Sequence, residues 1–259
     1  MNINYAATSQ QGVRESNQDE TGAVVGEHCA CFLVCDGVAG TAGGQIAARI
    51  ARDVLLSQLA NDASIDSADT ARWLENVDRA IRQAQRQMLN FSQMSTTLAA
   101  LFIDRDAQQC WWAHAGDSRI YHFRRGFIDA VTRDHSLAQQ LKDAGVDNTG
   151  INSNLLYNAL GADGPLSATC SDVMPLEDGD AFLVCTDGFW SSLAPQEMEQ
   201  ALRMVNSPDE WLALMHTAIN RSEKKEDNLS AVAVWIGSPQ ETTLLQQMSD
   251  SARFLPTRK

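Results

Sequence analysis

The stretch "FLVCDG" at residues 32–37 returns, one threonine longer, as "FLVCTDG" at 182–188. Each is a short apolar run with β-branched content, bounded by Asp-Gly, and so reads as a buried strand followed by a turn. A single Asp-Gly means little, because glycine after aspartate commonly serves a positive φ. Here the ending recurs. With "AGDS" at 115–118 and "EDN" at 226–228, aspartates stand repeatedly where an apolar strand ends or is about to begin. Strand ends on one rim of a sheet converge, and carboxylates brought together raise each other's pKa unless cations sit between them. Hard oxygen donors of this kind select Mg²⁺ or Mn²⁺ over Zn²⁺.

The elements around these strands follow from hydrophobic period. "AVVGEHCACFLVCDG" reads as two strands joined by a short Gly-Glu-His turn, after a polar opening "TSQQGVRESNQDETG". From Gly44 to Leu59, Ile46, Ala47, Ile50, Val54, Leu55 and Leu59 form one helical stripe. A second helix is expected over 68–91, capped by Asp69 or Thr70, with Trp73, Leu74, Val77, Ile81, Ala84 and Met88 buried. The period then shortens: residues 95–104, 109–117, 118–126 and 127–134 predict an antiparallel meander. Trp111 and Trp112 should face opposite sides of their strand. "SLAQQLKDAG" predicts a short helix closed by Gly145, and "VDNTGINSN" a surface loop. A strand at "AFLVCTDG", two helices over 194–205 and 207–222, and a strand at "NLSAVAVWIG" complete the pattern. Strands in two batches, each with a helix pair, predict an α+β fold in which sheets pack on each other under helices. No linker divides the chain, so residues 1–237 read as one domain and 238–259 as a C-terminal tail.

Composition narrows the function classes. The 259 residues include 33 acidic and 20 basic side chains, a formal net charge of −13, which opposes binding to nucleic acid or an anionic membrane. No apolar run reaches the roughly 18 residues of a membrane span, and the start lacks the pattern of a secretory signal, so a cytoplasmic location is expected. The six cysteines lack paired CxxC spacing and are expected to be reduced, mostly buried thiols.

An ordered set of motifs carries a resemblance: "VRESNQD" (13–19), "CDGVAG" (35–40), "STTL" (95–98), "AHAGDSR" (113–119), "RDHS" (133–136), "CTDG" (185–188) and "KEDNLSAVAV" (225–234). In this order they resemble the metal-dependent protein Ser/Thr phosphatases of type 2C, in their compact bacterial form, over about residues 8–237. The resemblance implies a four-layer α-β-β-α sandwich, two antiparallel sheets flanked by helix pairs, with a metal site at one end. It implies two Mn²⁺ or Mg²⁺ ions, with room for a weaker third. Asp36 would bridge both ions, Gly37 would offer its carbonyl, and Asp187 and Asp227 would complete the set. Asp19 would hold metal-bound water, Asn228 would orient ligands, and Asp117 would help hold the third ion. Arg14 matches the family's phosphate-anchoring arginine.

The implied chemistry is hydrolysis of phosphoserine and phosphothreonine by a water or hydroxide bridging the two ions, which also neutralise phosphoryl charge. A guanidinium such as Arg14 adds a planar, bidentate clamp. The implied partners are a phosphorylated protein and the pathway of a cognate Ser/Thr kinase, with the chain acting as a monomer. The alternative is a catalytically weak phosphatase-fold module that holds a phosphorylated partner; a hydrolase of nucleotides is a more distant third. Three positions depart from the family pattern. Val38 stands where many eukaryotic members carry a histidine, Gln18 where glutamate is common, and Ser191 where many relatives have an acid serving the third ion.

Overall fold

The structure is a computed structural model that describes residues 1–38, 42–60, 64–146, 155–221 and 227–243. Most of the "VDNTGINSN" loop, the basic part of 221–227 and most of the tail lie outside the described residues, as does the end of "CDGVAG".

Two antiparallel sheets form the centre. One contains β2 (Asp19–Val25), β3 (Cys29–Asp36), β4 (Leu98–Asp104) and β5 (Gln109–Ala115) in that order. Two short strands, β8 (Thr169–Cys170) and β9 (Met174–Pro175), run along β5. The other has the order β1 (Ile3–Gln10), β11 (Leu229–Ile236), β10 (Ala181–Cys185), β6 (Arg119–Arg124) and β7 (Phe127–Val131). The two quoted apolar runs are therefore β3 and β10, central strands of different sheets.

Both faces of these central strands are buried, and alternation decides which core each side chain joins. Phe32, Val34, Leu101, Ile103, Phe182, Val184, Val232 and Val234 fill the layer between the sheets. Cys31, Leu33, Cys35, Leu98, Ala100 and Phe102 face outward from the first sheet onto α1 (Gly44–Leu59) and α2 (Thr70–Gln87). The one-turn α4 (Asp187–Trp190) follows β10, and Leu183, Cys185, Ala231, Ala233 and Trp235 face outward from the second sheet onto α5 (Pro195–Met204) and α6 (Pro208–Arg221). The result is the expected four-layer α-β-β-α sandwich. Trp111 packs beneath the α1–α2 layer and Trp112 between the sheets, the expected split. None of the six cysteines forms a disulfide, and only Cys170 is exposed.

Several details differ from the sequence reading. Residues 3–10, given no element from sequence and overlapping the polar opening only at 8–10, form edge strand β1, paired along its length with β11; only Ala6 in it is buried, so an apolar signal is missing. The supposed meander is divided: β4 and β5 belong to one sheet, β6 and β7 to the other, and the chain crosses between them at 116–118. Neither Asp69 nor Thr70 caps α2 with its side chain. Asp66 instead caps a preceding turn of 3₁₀ helix (Ser67–Asp69), accepting from Ala68 N. Met88 lies just past the last turn of α2 and is exposed. By contrast, α3 (Leu137–Asp143) starts on a Ser136 cap and ends before Gly145 as read.

Phe102 sits between Trp73 and Trp111, with ring centroids 5.4 and 5.7 Å away. Phe102→Ala should lower unfolding free energy by about 3–5 kcal/mol in urea denaturation. Leu89→Ser, at a position 80% exposed, should change it by less than about 0.5 kcal/mol.

Candidate functional site

The rim where β2, β3, β10 and β11 end or begin gathers most of the sequence-predicted residues. Arg14, Gln18, Asp36, Gly37, Val38, Thr97, Asp117, Asp187, Asp227 and Asn228 help line a cleft of about 350 Å³. A second cleft, about 540 Å³, shares Arg14, Asp117, Asp187 and Asp227 and extends past Arg119, Lys142, Trp190 and Ser191. Asp19 lines neither cleft. It sits behind them, paired with Asp36 across β2 and β3.

The glycines after Asp36 and Asp187 answer for the repeated ending. Neither has a positive φ. Instead, a Cβ on Gly37 would come within 2.3 Å of the Gly44 backbone at the start of α1, and one on Gly188 within 2.1 Å of the Asn228 carbonyl. Each glycine lets another backbone segment close against the residue that carries the carboxylate.

Backbone and hydroxyl contacts fix the acids. Asp36 N donates to Thr97 Oγ1 at 3.0 Å, while its carbonyl accepts from Thr96 Oγ1 at 2.9 Å and Thr97 N at 2.8 Å. Thr186 Oγ1, from the second sheet, donates to Asp19 Oδ2 of the first at 2.9 Å. Trp190 Nε1 donates to the Asp117 carbonyl at 2.9 Å, and Arg119 stacks 3.3 Å over the Trp190 ring while forming a bidentate pair with Asp134. His135 accepts from Gly116 N at 3.3 Å through Nδ1, and its own N donates to the Gly116 carbonyl at 2.8 Å. It thereby holds the crossing that presents Asp117. Burial, then the neighbouring His114, lowers the His135 pKa to about 4, so it acts there as a neutral imidazole.

Asn228 anchors the chain segment that precedes β2. Its Nδ2 donates to the carbonyls of Gln11 and Ser16, and its Oδ1 accepts from Gln18 N. These bonds tie down the segment carrying Arg14. Arg14 Nε and Nη2 in turn donate to Oδ1 and Oδ2 of Asp227 at 2.9 and 2.6 Å. Thr97, Thr186 and His135 all lie in motifs quoted from the sequence, but only folding shows which carboxylate each one serves.

The electrostatics are those of crowded acids. Burial first, and then the charges of Asp187 and Asp227, push Asp19 up to about 7 against its bonds from Ser230 and Thr186. Burial, followed by Asp187 and Asp134, likewise raises Asp117 to about 7. Asp36 stands well above the carboxylate range through burial and then Asp19, Asp187, Asp117 and Asp227. Asp187 is raised by burial and by Asp227, an effect tempered by a hydrogen bond with Asp36.

Two buried oxygens, Asp19 Oδ1 and Asp187 Oδ1, have no hydrogen-bond partner among the described residues. Orphaned, oxygen-only donors among repelling carboxyls suit a hard divalent cation. Among the described residues, no group of three His, Cys, Asp or Glu side chains is arranged to hold a metal ion.

Comparison with known proteins agrees with the fold and with the family resemblance. The family described as Protein phosphatase 2C matches residues 7–232. A serine/threonine phosphatase, stp, of Listeria welshimeri is 27% identical, covering 95% of this chain and 98% of that relative. Pseudomonas aeruginosa PppA, solved as a key regulatory component of the T6SS, superposes with a TM-score of 0.74 at 26% identity, covering 90% of this chain and 97% of that one. The catalytic domain of serine threonine protein phosphatase PstP, solved with two manganese ions, has a TM-score of 0.77 at 24% identity, covering 91% and 98%; at that identity the likeness concerns the fold.

The raised carboxyl pKa values carry a sign for stability. Asp19 and Asp117 hold protons in the folded chain that the unfolded chain, with pKa 3.8, has released. Folding stability in EDTA should therefore fall as pH rises from about 4 through about 7. Urea unfolding across this range should show a smaller fall in Asp117→Asn than in the native protein.

Proposed function

The chain belongs to the protein phosphatase 2C family, and from that premise we propose that it hydrolyses phosphoserine and phosphothreonine in proteins, opposing a Ser/Thr kinase of the same cell. One observation carries this reading: acids delivered by strand ends of both sheets share a cleft with Arg14. Asp36, the Gly37 carbonyl, Asp187 and Asp227 would hold two divalent cations, with Asp19 behind them, and the orphaned oxygens of Asp19 and Asp187 support that assignment. When bound, Mn²⁺ or Mg²⁺ would activate water for in-line attack and neutralise charge on the phosphoryl oxygens. Asp117 would contribute to a third, weaker position that lacks an acid at Ser191.

The side chains do the rest of the work. Arg14 would grip two phosphoryl oxygens through its fork, which positions phosphorus and disperses developing charge. Asn228 would keep that grip in place by holding the 11–18 segment. Val38 lines the cleft where a protonated imidazole would otherwise donate, so the leaving serine or threonine oxygen would take its proton from water. No cysteine is required as a nucleophile. Buried Cys31, Cys35 and Cys185 are held in the thiol form, their pKa values raised by desolvation. Residues 1–237 as the phosphatase unit, a monomeric state and a cytoplasmic setting belong to the same proposal. Among the described residues, no helix is long and apolar enough to cross a membrane.

The test is phosphate release from a phosphothreonine peptide and an aryl phosphate, with Mn²⁺, Mg²⁺ or EDTA. Release should require a divalent cation, and Asp36→Asn should lower kcat/KM by at least roughly a hundredfold while remaining folded. Arg14→Ala should cost about tenfold or more in kcat/KM. Tight phosphopeptide binding without release, or hydrolysis of nucleotides alone, would overturn the proposal.

A further inference from the structure

Asp227 has two claimants. Both of its oxygens accept from Arg14, at 2.9 and 2.6 Å, yet the same carboxylate is the proposed ligand of a divalent cation. The backbone around the pair is fixed, because Asn228 ties Gln11, Ser16 and Gln18 to the start of β11. Its side chains are not enclosed: Arg14 is 43% exposed and Asp227 25%. The fork can therefore leave Asp227 by side-chain rotation alone and remain inside the clefts it lines. Asp187 and Asp36 also attract Arg14, so its charge stays near the acids wherever the fork points.

A guanidinium fork satisfies one planar, two-oxygen acceptor at a time, and a carboxylate and a phosphoryl group are both such acceptors. A dication approaching Asp227 meets a carboxylate already neutralised, with a positive charge in its path. A phosphoryl group that draws the fork away removes both obstacles.

We propose that Arg14 is a latch on the cation site: it competes with a divalent cation for Asp227, and a phosphoanion that captures it makes the two ligands bind cooperatively. This rests on the two-cation reading above. Linkage makes the effect reciprocal, so the factor by which phosphate tightens cation binding equals that by which the cation tightens phosphate binding. The protein would thus load its cations most firmly when phosphorylated substrate is present.

Calorimetric titration with Mn²⁺, with and without inorganic phosphate, tests the latch independently of turnover. Without phosphate, Arg14→Ala should bind Mn²⁺ about fivefold more tightly than the native protein, the gain expected from freeing one partly exposed pair. Phosphate should tighten Mn²⁺ binding to the native protein and do so much less in Arg14→Ala. Lys142→Ala serves as the charge control, since Lys142 lines the neighbouring cleft and is exposed; it should bind Mn²⁺ as the native protein does. Equal or weaker binding by Arg14→Ala, or equal tightening by Lys142→Ala, would overturn the latch. Asp36→Asn separates this failure from a deeper one. If it loses Mn²⁺ while Arg14→Ala behaves as native, the latch alone falls; if it binds Mn²⁺ undiminished, the two-cation reading falls and the latch with it.

Discussion

Mutual repulsion among buried carboxyls is the constraint around which this molecule is arranged. Asp19, Asp36, Asp117 and Asp187 all have pKa values raised first by burial and then by the charges of neighbouring carboxylates. A chain free to relax would separate them. They stay together because each is fixed to a strand end or to a crossing between sheets, and three apolar layers hold those strands. The cores therefore do more than stabilise the fold. They supply the burial free energy against which an unfavourable charge cluster is maintained, a common arrangement at sites that bind ions or substrates.

Much of this was legible in the sequence because the central strands and the helices bury regular faces. β3 and β10 are apolar on both faces, and α1 begins and ends at the residues expected from its stripe. β1 was not legible for the opposite reason: as an edge strand with one buried residue it has no apolar pattern, and its existence depends on pairing with β11, more than 200 residues away in the chain. The division of the meander between two sheets was hidden as well, since local alternation reports that a strand exists and says nothing of which sheet receives it. The acids were visible as repeated strand endings. Their supports were not, because Thr186, Thr97, Asn228 and His135 act across long sequence separations that only the fold closes.

The recurrent glycines show how a correct observation can have a different cause. Asp-Gly suggests a turn with a positive φ, yet Gly37 and Gly188 adopt none. They are needed because α1 lies against one and the start of β11 against the other. The echo between the two runs thus reflects one packing solution used once in each sheet: a strand delivers an acid, and the absence of a side chain at the next position lets a second segment close behind it.

Packed sheets stand roughly 10 Å apart, which is too far for strand-end acids of opposite sheets to meet unless something at the rim draws them in. The direct straps are few and specific. Thr186 reaches from the end of β10 to Asp19 at the start of β2, and Asn228 reaches from the start of β11 to Gln18, next to Asp19. Asp117 needs no strap, since it lies on the segment that passes from β5 in one sheet to β6 in the other, held by His135 through Gly116 and by Trp190 through its own carbonyl. Arg14 closes the remaining side by pairing with Asp227. The cleft is thus a seam between two rigid layers rather than a pocket within one. Its acids are held in place by the seam's straps, among them the Arg14 fork, which reaches Asp227 from the segment that Asn228 ties to the start of β11.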